Sequence, residues 1–151
     1  MRQEIERLIN VILDEVDCID DLVDAMREQR QAMHDRDNEA INSLMNETRD
    51  LSFEVQACET LRSDLSKKLA AMLSCEPKAS SLSAAMSNEE QENFNGAVDK
   101  LTQSVFVLKS EIMILSGLIE QNEKYTSMLL SEWRRLNGDI ISNSGGADFR
   151  G

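Results

Sequence analysis

The residue types that most often carry out chemistry are scarce in this chain of 151 residues, which has one histidine. A carboxylate-bridged metal site in a helical protein needs Glu-x-x-His pairs on facing helices. His34 has Gln31 three residues before it, so the chain contains no such pair. A Cys-His or Ser-His-Asp catalytic group would also depend on this single imidazole. We predict no metal site, no cofactor and no catalytic residues, with His34 exposed to solvent at a turn.

The cysteines and glycines do not suggest a site either. Cys18, Cys58 and Cys75 are far apart in the sequence and lack the paired spacing of zinc or redox motifs. We interpret them as isolated, reduced thiols, and Cys58 as a small buried hydrophobic residue. Gly145 and Gly146 are followed by neither a strand nor a helix, which argues against a phosphate-binding loop. The chain is therefore predicted not to be an enzyme.

Composition limits the fold class and the partners. Aromatic residues make up 4% of the chain, and proline occurs once, which favours long helices over a β-sandwich. The formal net charge of −12 argues against nucleic acid and against an anionic membrane surface. No signal peptide opens the sequence, and the apolar block 105–119 is too short for stable insertion into a membrane. We predict a cytoplasmic protein.

Apolar residues recur at steps of three and four along three stretches of the chain, which predicts an all-α fold. Three long antiparallel helices would form a coiled-coil-like bundle, with a Ser-rich loop between the second and the third. The single helical domain is predicted to cover residues 1–142, with helices at about 3–34, 38–73 and 88–142. Residues 143–151 are predicted to form a flexible tail.

The helix boundaries follow from capping residues. Asp35 or Asp37 can accept the free backbone N–H groups of a new first turn, which predicts a tight helix–helix turn there. Pro77 ends the second helix, and the Ser-rich loop after it has room for one helical turn at Leu82–Met86. Ser87 and Glu90 match a capping box at the start of the third helix.

The third predicted helix has the longest apolar seam, from Phe94 to Ile140. Residues 105–119 are apolar nearly all round the helix, which predicts contacts on more than one side and makes this the central helix. In the second helix, Leu61 is expected to take the buried place that the repeat gives to Arg62. The acidic face of the first helix is expected to be solvated: Asp14, Glu15, Asp17, Asp20, Asp21 and Asp24.

The predicted helix lengths do not match. At ~1.5 Å per residue the first two helices are roughly 48–54 Å long and the third about 80 Å, so a straight third helix overhangs by about 25 Å. Residues 126–141 would then expose an apolar strip, to be covered by a partner helix, a second copy, or the chain itself after a bend at Gly117. The predicted partner-contacting residues are Asn122, Tyr125, Met128, Leu129, Leu130, Trp133, Leu136 and Ile140. Asn122 has the alternative interpretation of a buried amide that fixes helix register.

Residues 37–44 read Asp-Asn-Glu-Ala-Ile-Asn-Ser-Leu, and Asn122 is followed by Leu129 and Leu130 in the third helix. The second helix continues this pattern through Arg49, Leu51, Glu59, Arg62 and Leu65. With these motifs the chain resembles the FlgN-type flagellar export chaperones over nearly its whole length. It departs from the family pattern after the second helix, where Ser74-Cys75 replaces a glycine, and at Tyr125, which replaces a second asparagine.

The resemblance implies a non-enzymatic role in the cytoplasm. Chaperones of this family bind the C-terminal helices of the hook-filament junction proteins, prevent their premature polymerisation and deliver them to the type III export gate. The resemblance also implies that the C-terminal tail, with Phe149, docks at a component of the gate. The alternative function is a structural or adaptor coiled-coil protein that self-associates, for example as a homodimer, through the third helix.

Overall fold

The computed structural model describes residues 1–121 and 133–138 of the chain. The elements in order are α1 (Arg2–His34), α2 (Asn38–Leu73), α3 (Ala79–Ala84) and α4 (Asn88–Gln121). Residues 133–138 are also helical and are called the 133–138 segment below. No strand occurs within these described ranges. The prediction of an all-α fold is therefore confirmed.

A tight turn joins α1 to α2. Arg36 adopts the left-handed backbone region, with φ of 56°, and the Asp37 amide donates to the Ala32 carbonyl at 3.0 Å. The Asp37 carboxylate caps α2 by accepting from the amide of Ala40 at 3.1 Å. His34 is exposed at the end of α1, as predicted. The turn makes α1 and α2 an antiparallel hairpin.

The connection between α2 and α4 contains a short helix. Ser74 is left-handed, with φ of 55°, and the next amide, that of Cys75, donates to the Ala70 carbonyl at 3.0 Å, which closes the end of α2. The helix α3 then buries Leu82 completely, and it begins and ends earlier than the turn predicted at 82–86. The capping box is confirmed, because Ser87 Oγ accepts from the Glu90 amide at 3.4 Å while Glu90 Oε1 accepts from the Ser87 amide at 3.1 Å.

The central helix of the structure is α1, so the prediction that the third long helix is central is wrong. α1 packs along α2 on one side and along α4 on the other, whereas α2 and α4 scarcely approach each other. The stripe that α1 buries is wide, with adjacent pairs such as Val11 and Ile12, or Ala25 and Met26, both covered. α4 instead buries a narrow seam and leaves Phe106 70% exposed.

α4 runs parallel to α1. Ser104 Oγ donates to Asp20 Oδ1 at 3.0 Å, and Arg27 Nε donates to Glu111 Oε1 at 3.0 Å. Both pairs join residues 84 positions apart, which is what two parallel helices in constant register require. By length and composition α4 could cross a membrane, and in the structure its apolar seam packs on α1.

Two further expectations about the core are wrong. Leu61 is 42% exposed and Arg62 is buried, the reverse of the predicted exchange. Glu15, which was assigned to the solvated acidic face, is 1% exposed. Both errors have one cause, because Glu15 Oε2 accepts a hydrogen bond from Arg62 Nε at 2.6 Å inside the α1–α2 interface. A count of apolar residues cannot detect a seam position that is filled by an ion pair.

The 133–138 segment does not lie on the straight extension of α4. On a continuous helix the Cα atoms of residues 120 and 134 would be about 21 Å apart, which is farther than the two side chains can span. Arg134 Nη2 nevertheless lies 3.3 Å from Glu120 Oε1. The segment therefore lies beside the bundle, and the overhang expected from a straight helix is wrong. The predicted helix end near 142 and the tail 143–151 lie outside the described residues.

Candidate functional site

The candidate site is the place where the 133–138 segment packs against the bundle. Trp133 and Leu136 are each 1% exposed and belong to the same hydrophobic core as α1 and α4. Of the three covers that the sequence analysis allowed for the apolar strip, the chain itself is the one found for these two side chains. The other residues predicted to contact a partner lie outside the described residues: Asn122, Tyr125, Met128, Leu129, Leu130 and Ile140. Phe149, assigned to the export gate, lies outside them as well.

Two arginines of the segment link α4 to α2 across the gap that these helices leave. Arg134 pairs with Glu120 of α4 at 3.3 Å. Arg135 Nη2 donates to Ser52 Oγ of α2 at 3.4 Å, and its guanidinium lies 5.5 Å from the centre of the Phe53 ring. An exposed ion pair contributes about 0–1 kcal/mol, and a cation–π contact at an exposed site about 0.5–1 kcal/mol. These anchors orient the segment but hold it weakly.

Burial of Trp133 and Leu136 provides most of the free energy that holds the segment in place. A tryptophan buries about 200 Å², so at ~25 cal/mol per Å² the two side chains together contribute roughly 6–8 kcal/mol. Part of this is offset by ordering the segment, since fixing the backbone of one residue costs about 1–2 kcal/mol. The net free energy of docking is therefore the difference between the burial contribution and the ordering cost, which are of similar size.

Unpaired polar groups at the same end of the bundle reduce this stabilisation further. Trp133 Nε1 is buried without a hydrogen-bond partner in the described part of the chain, and so are both amide atoms of Gln29. Gln29 lies on α1 next to Arg30, which contacts α4, and its side chain is fully buried. A buried polar group without a partner costs about 1–3 kcal/mol. The core at this end therefore contains polar atoms that lack hydrogen bonds, which its apolar residues alone do not reveal.

Glu111 joins α1 to α4 near the same end. Its Oε1 accepts from Arg27 Nε at 3.0 Å and from Arg30 Nη2 at 3.2 Å, while its Oε2 is buried without a partner among the described residues. Both arginine side chains remain partly exposed, at 51% and 38%. Glu111 is therefore a buried carboxylate with one oxygen available to a further donor.

A second buried charge group lies in the middle of the hairpin, away from the segment. Arg62 bonds to Glu15 of α1 and lies 3.9 Å from Glu59 of its own helix. Burial raises the pKa of Glu15, and the nearby Arg62 guanidinium opposes that shift. A buried pair of this kind is costly to break and can be formed in only one register. We assign it to the alignment of α1 with α2.

The hairpin also brings two cysteines together. Cys18 Sγ and Cys58 Sγ are 3.8 Å apart, so the prediction that these two thiols are isolated is wrong. Both are half-buried, and burial raises the pKa of Cys18 to about 12. A thiol with such a pKa is protonated at neutral pH and is a poor nucleophile. This pair is therefore a packing contact in the reduced protein. Within 1–121 and 133–138, no cluster of three or more metal ligands is found.

α4 exposes a row of large apolar side chains on the side facing away from α1. Phe106 and Met113 are 70% and 73% exposed, and Ile114 is 44% exposed. Phe106 and Met113 are two helical turns apart and therefore share one face, here called the α4 apolar face. The half-buried Ser110 lies between them. Exposed apolar surface of this kind is typical of a surface that contacts another protein.

Comparison with family models matches residues 1–144 to the family described as FlgN protein. The chain belongs to the FlgN family. No curated protein and no solved structure matches this FlgN chain. The resemblance found in its sequence motifs is thus confirmed, and the match includes every residue that the structure describes. FlgN proteins are flagellar export chaperones and are not known as enzymes.

Proposed function

We propose that this FlgN chain is a cytoplasmic chaperone that binds the C-terminal amphipathic helix of hook-filament junction proteins. It holds these proteins unpolymerised and delivers them to the type III export gate. The observation that supports this proposal best is the packing of the 133–138 segment. Its two apolar side chains, Trp133 and Leu136, are buried in the core, while Arg134 contacts α4 and Arg135 contacts α2. The bundle thus accepts a short amphipathic helix at this end.

The binding surface is assigned to the C-terminal part of the chain. We propose that the partner's helix contacts Trp133 and Leu136 together with Asn122, Tyr125, Met128, Leu129, Leu130 and Ile140. Aromatic side chains are enriched among the residues that dominate binding energy at such interfaces, and Trp133 is the largest apolar side chain of this set. Because the chain has a formal charge of −12, the partner's helix is expected to carry basic residues beside its apolar face.

The test replaces Leu129 and Leu130 by serine and measures the affinity for a C-terminal fragment of a junction protein by calorimetry. Loss of two apolar contacts should weaken binding at least tenfold, since a central interface residue contributes about 2 kcal/mol. The matched control is Leu61→Ser, a similar change on an exposed part of α2. Binding that is unchanged in the double variant, with helix content preserved, would show that the surface lies elsewhere.

Docking at the export gate is assigned to the tail through Phe149. Phe149→Ala should then leave the affinity for the junction-protein fragment unchanged while it lowers the amount of that protein exported from cells. Export at the wild-type level would remove Phe149 from the gate contact. Because the two measurements are independent, loss of both would indicate that the tail also contributes to partner binding.

The α4 apolar face favours a second candidate function, self-association of the chain as a homodimer. An antiparallel pair of α4 helices would bring Phe106 of one copy to Met113 of the other, with the small Ser110 at the crossing point. Light scattering tests this: a dimer should form in the wild type and dissociate in the variant Phe106→Ser/Met113→Ser. A wild-type chain that is monomeric at all concentrations tested would exclude it.

A further inference from the structure

We propose that the 133–138 segment is a latch, which keeps the free chaperone closed and has to undock before a partner's amphipathic helix is bound. This inference rests on the proposed function and adds a regulatory step to the same site. In the closed state the apolar side chains of Trp133 and Leu136 are turned into the core. In the open state they are available to the partner.

A partner has no access to the buried side chains of the segment in the closed state. Trp133 and Leu136 are the described members of the proposed contact surface, and each is only 1% exposed. A side chain with this exposure has no free surface for a partner. Either the segment moves when the partner binds, or these two residues take no part in binding. The remaining contacts of the segment favour the first alternative.

The polar contacts described between the segment and the bundle include exposed ones that water can replace. The side chains of the ion pair between Arg134 and Glu120 are 69% and 56% exposed. Arg135 lies over Phe53, which is 53% exposed. Exposed pairs of this kind gain little over their hydration, so breaking them costs little. The segment can therefore leave without disrupting a buried ion pair.

The closed state leaves polar groups in the core without hydrogen bonds from the described part of the chain. Trp133 Nε1 and both amide atoms of Gln29 are buried without a hydrogen-bond partner in the part of the chain that the structure describes. When the segment undocks, the indole N–H regains a hydrogen bond to water or to the partner. Native cores rarely retain such groups unless the arrangement serves a purpose. Here it lowers the free energy difference between the closed and the open state.

The long helices of the bundle are also joined to one another by contacts that do not involve the segment. The long helices α1, α2 and α4 are joined by their own contacts, including the buried pair of Glu15 with Arg62 and the pairing of Glu111 with Arg27. The polar contacts described for Arg134 and Arg135 are to the exposed Glu120 and Phe53 and to the buried Ser52, and none of them belongs to these helix–helix pairs. Undocking therefore does not require the helices to unfold.

The first experiment weakens the latch without changing a proposed partner contact. Phe53→Ser removes the ring beneath Arg135, and Leu61→Ser is the matched control, an exposed apolar residue two turns along the same helix. The probe is a fluorescein-labelled, tryptophan-free peptide with the sequence of a junction-protein C-terminal helix. A latch predicts that Phe53→Ser binds the peptide roughly two- to fivefold more tightly than the wild type, whereas Leu61→Ser does not.

Trp133 reports the state of the latch directly, because it is the only tryptophan in the chain. In the free Phe53→Ser variant its emission should move to longer wavelength and become easier to quench with acrylamide. The Leu61→Ser variant should match the wild type. Tighter binding without greater accessibility of Trp133 would overturn the latch, and so would equal affinity of Phe53→Ser and wild type.

The second experiment fixes the latch in its closed state. Ser52→Cys and Arg135→Cys are introduced into a chain whose native cysteines are replaced by serine, and a bis-maleimide about as long as the arginine side chain joins them. The matched control is the same protein with both thiols capped by a monofunctional maleimide. The cross-linked chain should lose at least tenfold in peptide affinity relative to the capped chain. Equal affinity would show that undocking is not required.

The outcomes also separate this inference from the proposed function. If the wild type and the capped control do not bind the junction-protein peptide at all, the proposed function fails, and the latch fails with it. If both bind and the cross-linked chain binds as tightly, the proposed function stands and the latch is wrong. Circular dichroism of each variant before binding verifies that the helices are intact.

Discussion

At the scale of single residues, the clearest departures from an apolar core are Arg62 and Glu15. Both are buried, and their side chains meet at 2.6 Å between α1 and α2. Such a pair contributes little net stability compared with well-packed apolar residues, but removing one member leaves the other as an uncompensated buried charge. The effect of the pair on stability is therefore measured by substituting one of its two members.

Arg62→Leu is expected to lower the free energy of unfolding by about 3–5 kcal/mol, because Glu15 then remains buried without the guanidinium that pairs with it. Urea unfolding followed by circular dichroism measures this. The double variant Glu15→Leu/Arg62→Leu should recover part of the loss, since it also removes the carboxylate of Glu15. A single variant that unfolds at the wild-type urea concentration would contradict the burial of this pair.

The pKa of Glu15 predicts a pH dependence with a definite sign. Burial raises this pKa above its ordinary value of 4.5, so the folded chain binds a proton more readily than the unfolded chain. The contribution of Glu15 to stability is therefore fully present below pH 4.5 and is lost as the pH rises through the folded pKa. The wild type should gain more stability than Glu15→Gln when the pH is lowered from 7 to 5. Equal gains in urea midpoint would show that Glu15 does not contribute.

At the scale of elements, the position of α1 between α2 and α4 determines which substitutions matter. Leu22 of α1 is fully buried, whereas Leu61 of α2, which was expected to replace Arg62 in the core, is 42% exposed. Leu22→Ala should cost about 2–5 kcal/mol in the free energy of unfolding, and Leu61→Ala less than about 1 kcal/mol. Urea titrations of the two variants test this ranking. Similar losses would mean that the helices pack with a different face of α2.

The boundaries of these elements could be predicted from the sequence, but their arrangement could not. The cap at Asp37 and the capping box of Ser87 with Glu90 depend on residues within one turn, so local patterns suffice. The central helix was assigned wrongly because apolar content suggested 105–119, where Phe106 proves exposed. α1 fills part of its interface with small or polar residues such as Ala25 and Gln29, which a count of apolar positions does not register.

The candidate site was harder to predict for the same reason. The sequence identified Trp133 and Leu136 as part of an apolar strip that needs to be buried. In the structure the chain itself buries both side chains. The deciding contacts join Arg135 to Ser52, residues 83 positions apart. No periodicity within one helix contains information about such a contact. Local patterns therefore identify the apolar surface, and only the tertiary structure shows that it is buried.

At the scale of the whole molecule, the net charge affects both the repulsion between copies and the attraction of a partner. A net charge of −12 keeps copies of the chain apart over long distances, although salt screens this repulsion within about 10 Å at 0.1 M. The same charge attracts an amphipathic helix with basic flanks. A rise in salt is therefore expected to slow association with the junction-protein peptide while the dissociation rate changes little, which stopped-flow measurements can test.

The place of α1 has a consequence for the order in which the chain folds during translation. α1 leaves the ribosome first, yet the residues of α4 that cover its second side follow 84 positions later. The α1–α2 hairpin can form early because its contacts are nearer in sequence, but one apolar side of α1 then stays open to water. A fragment of residues 1–75 should accordingly be helical yet prone to aggregate, and a synthetic α4 added in trans should restore its solubility.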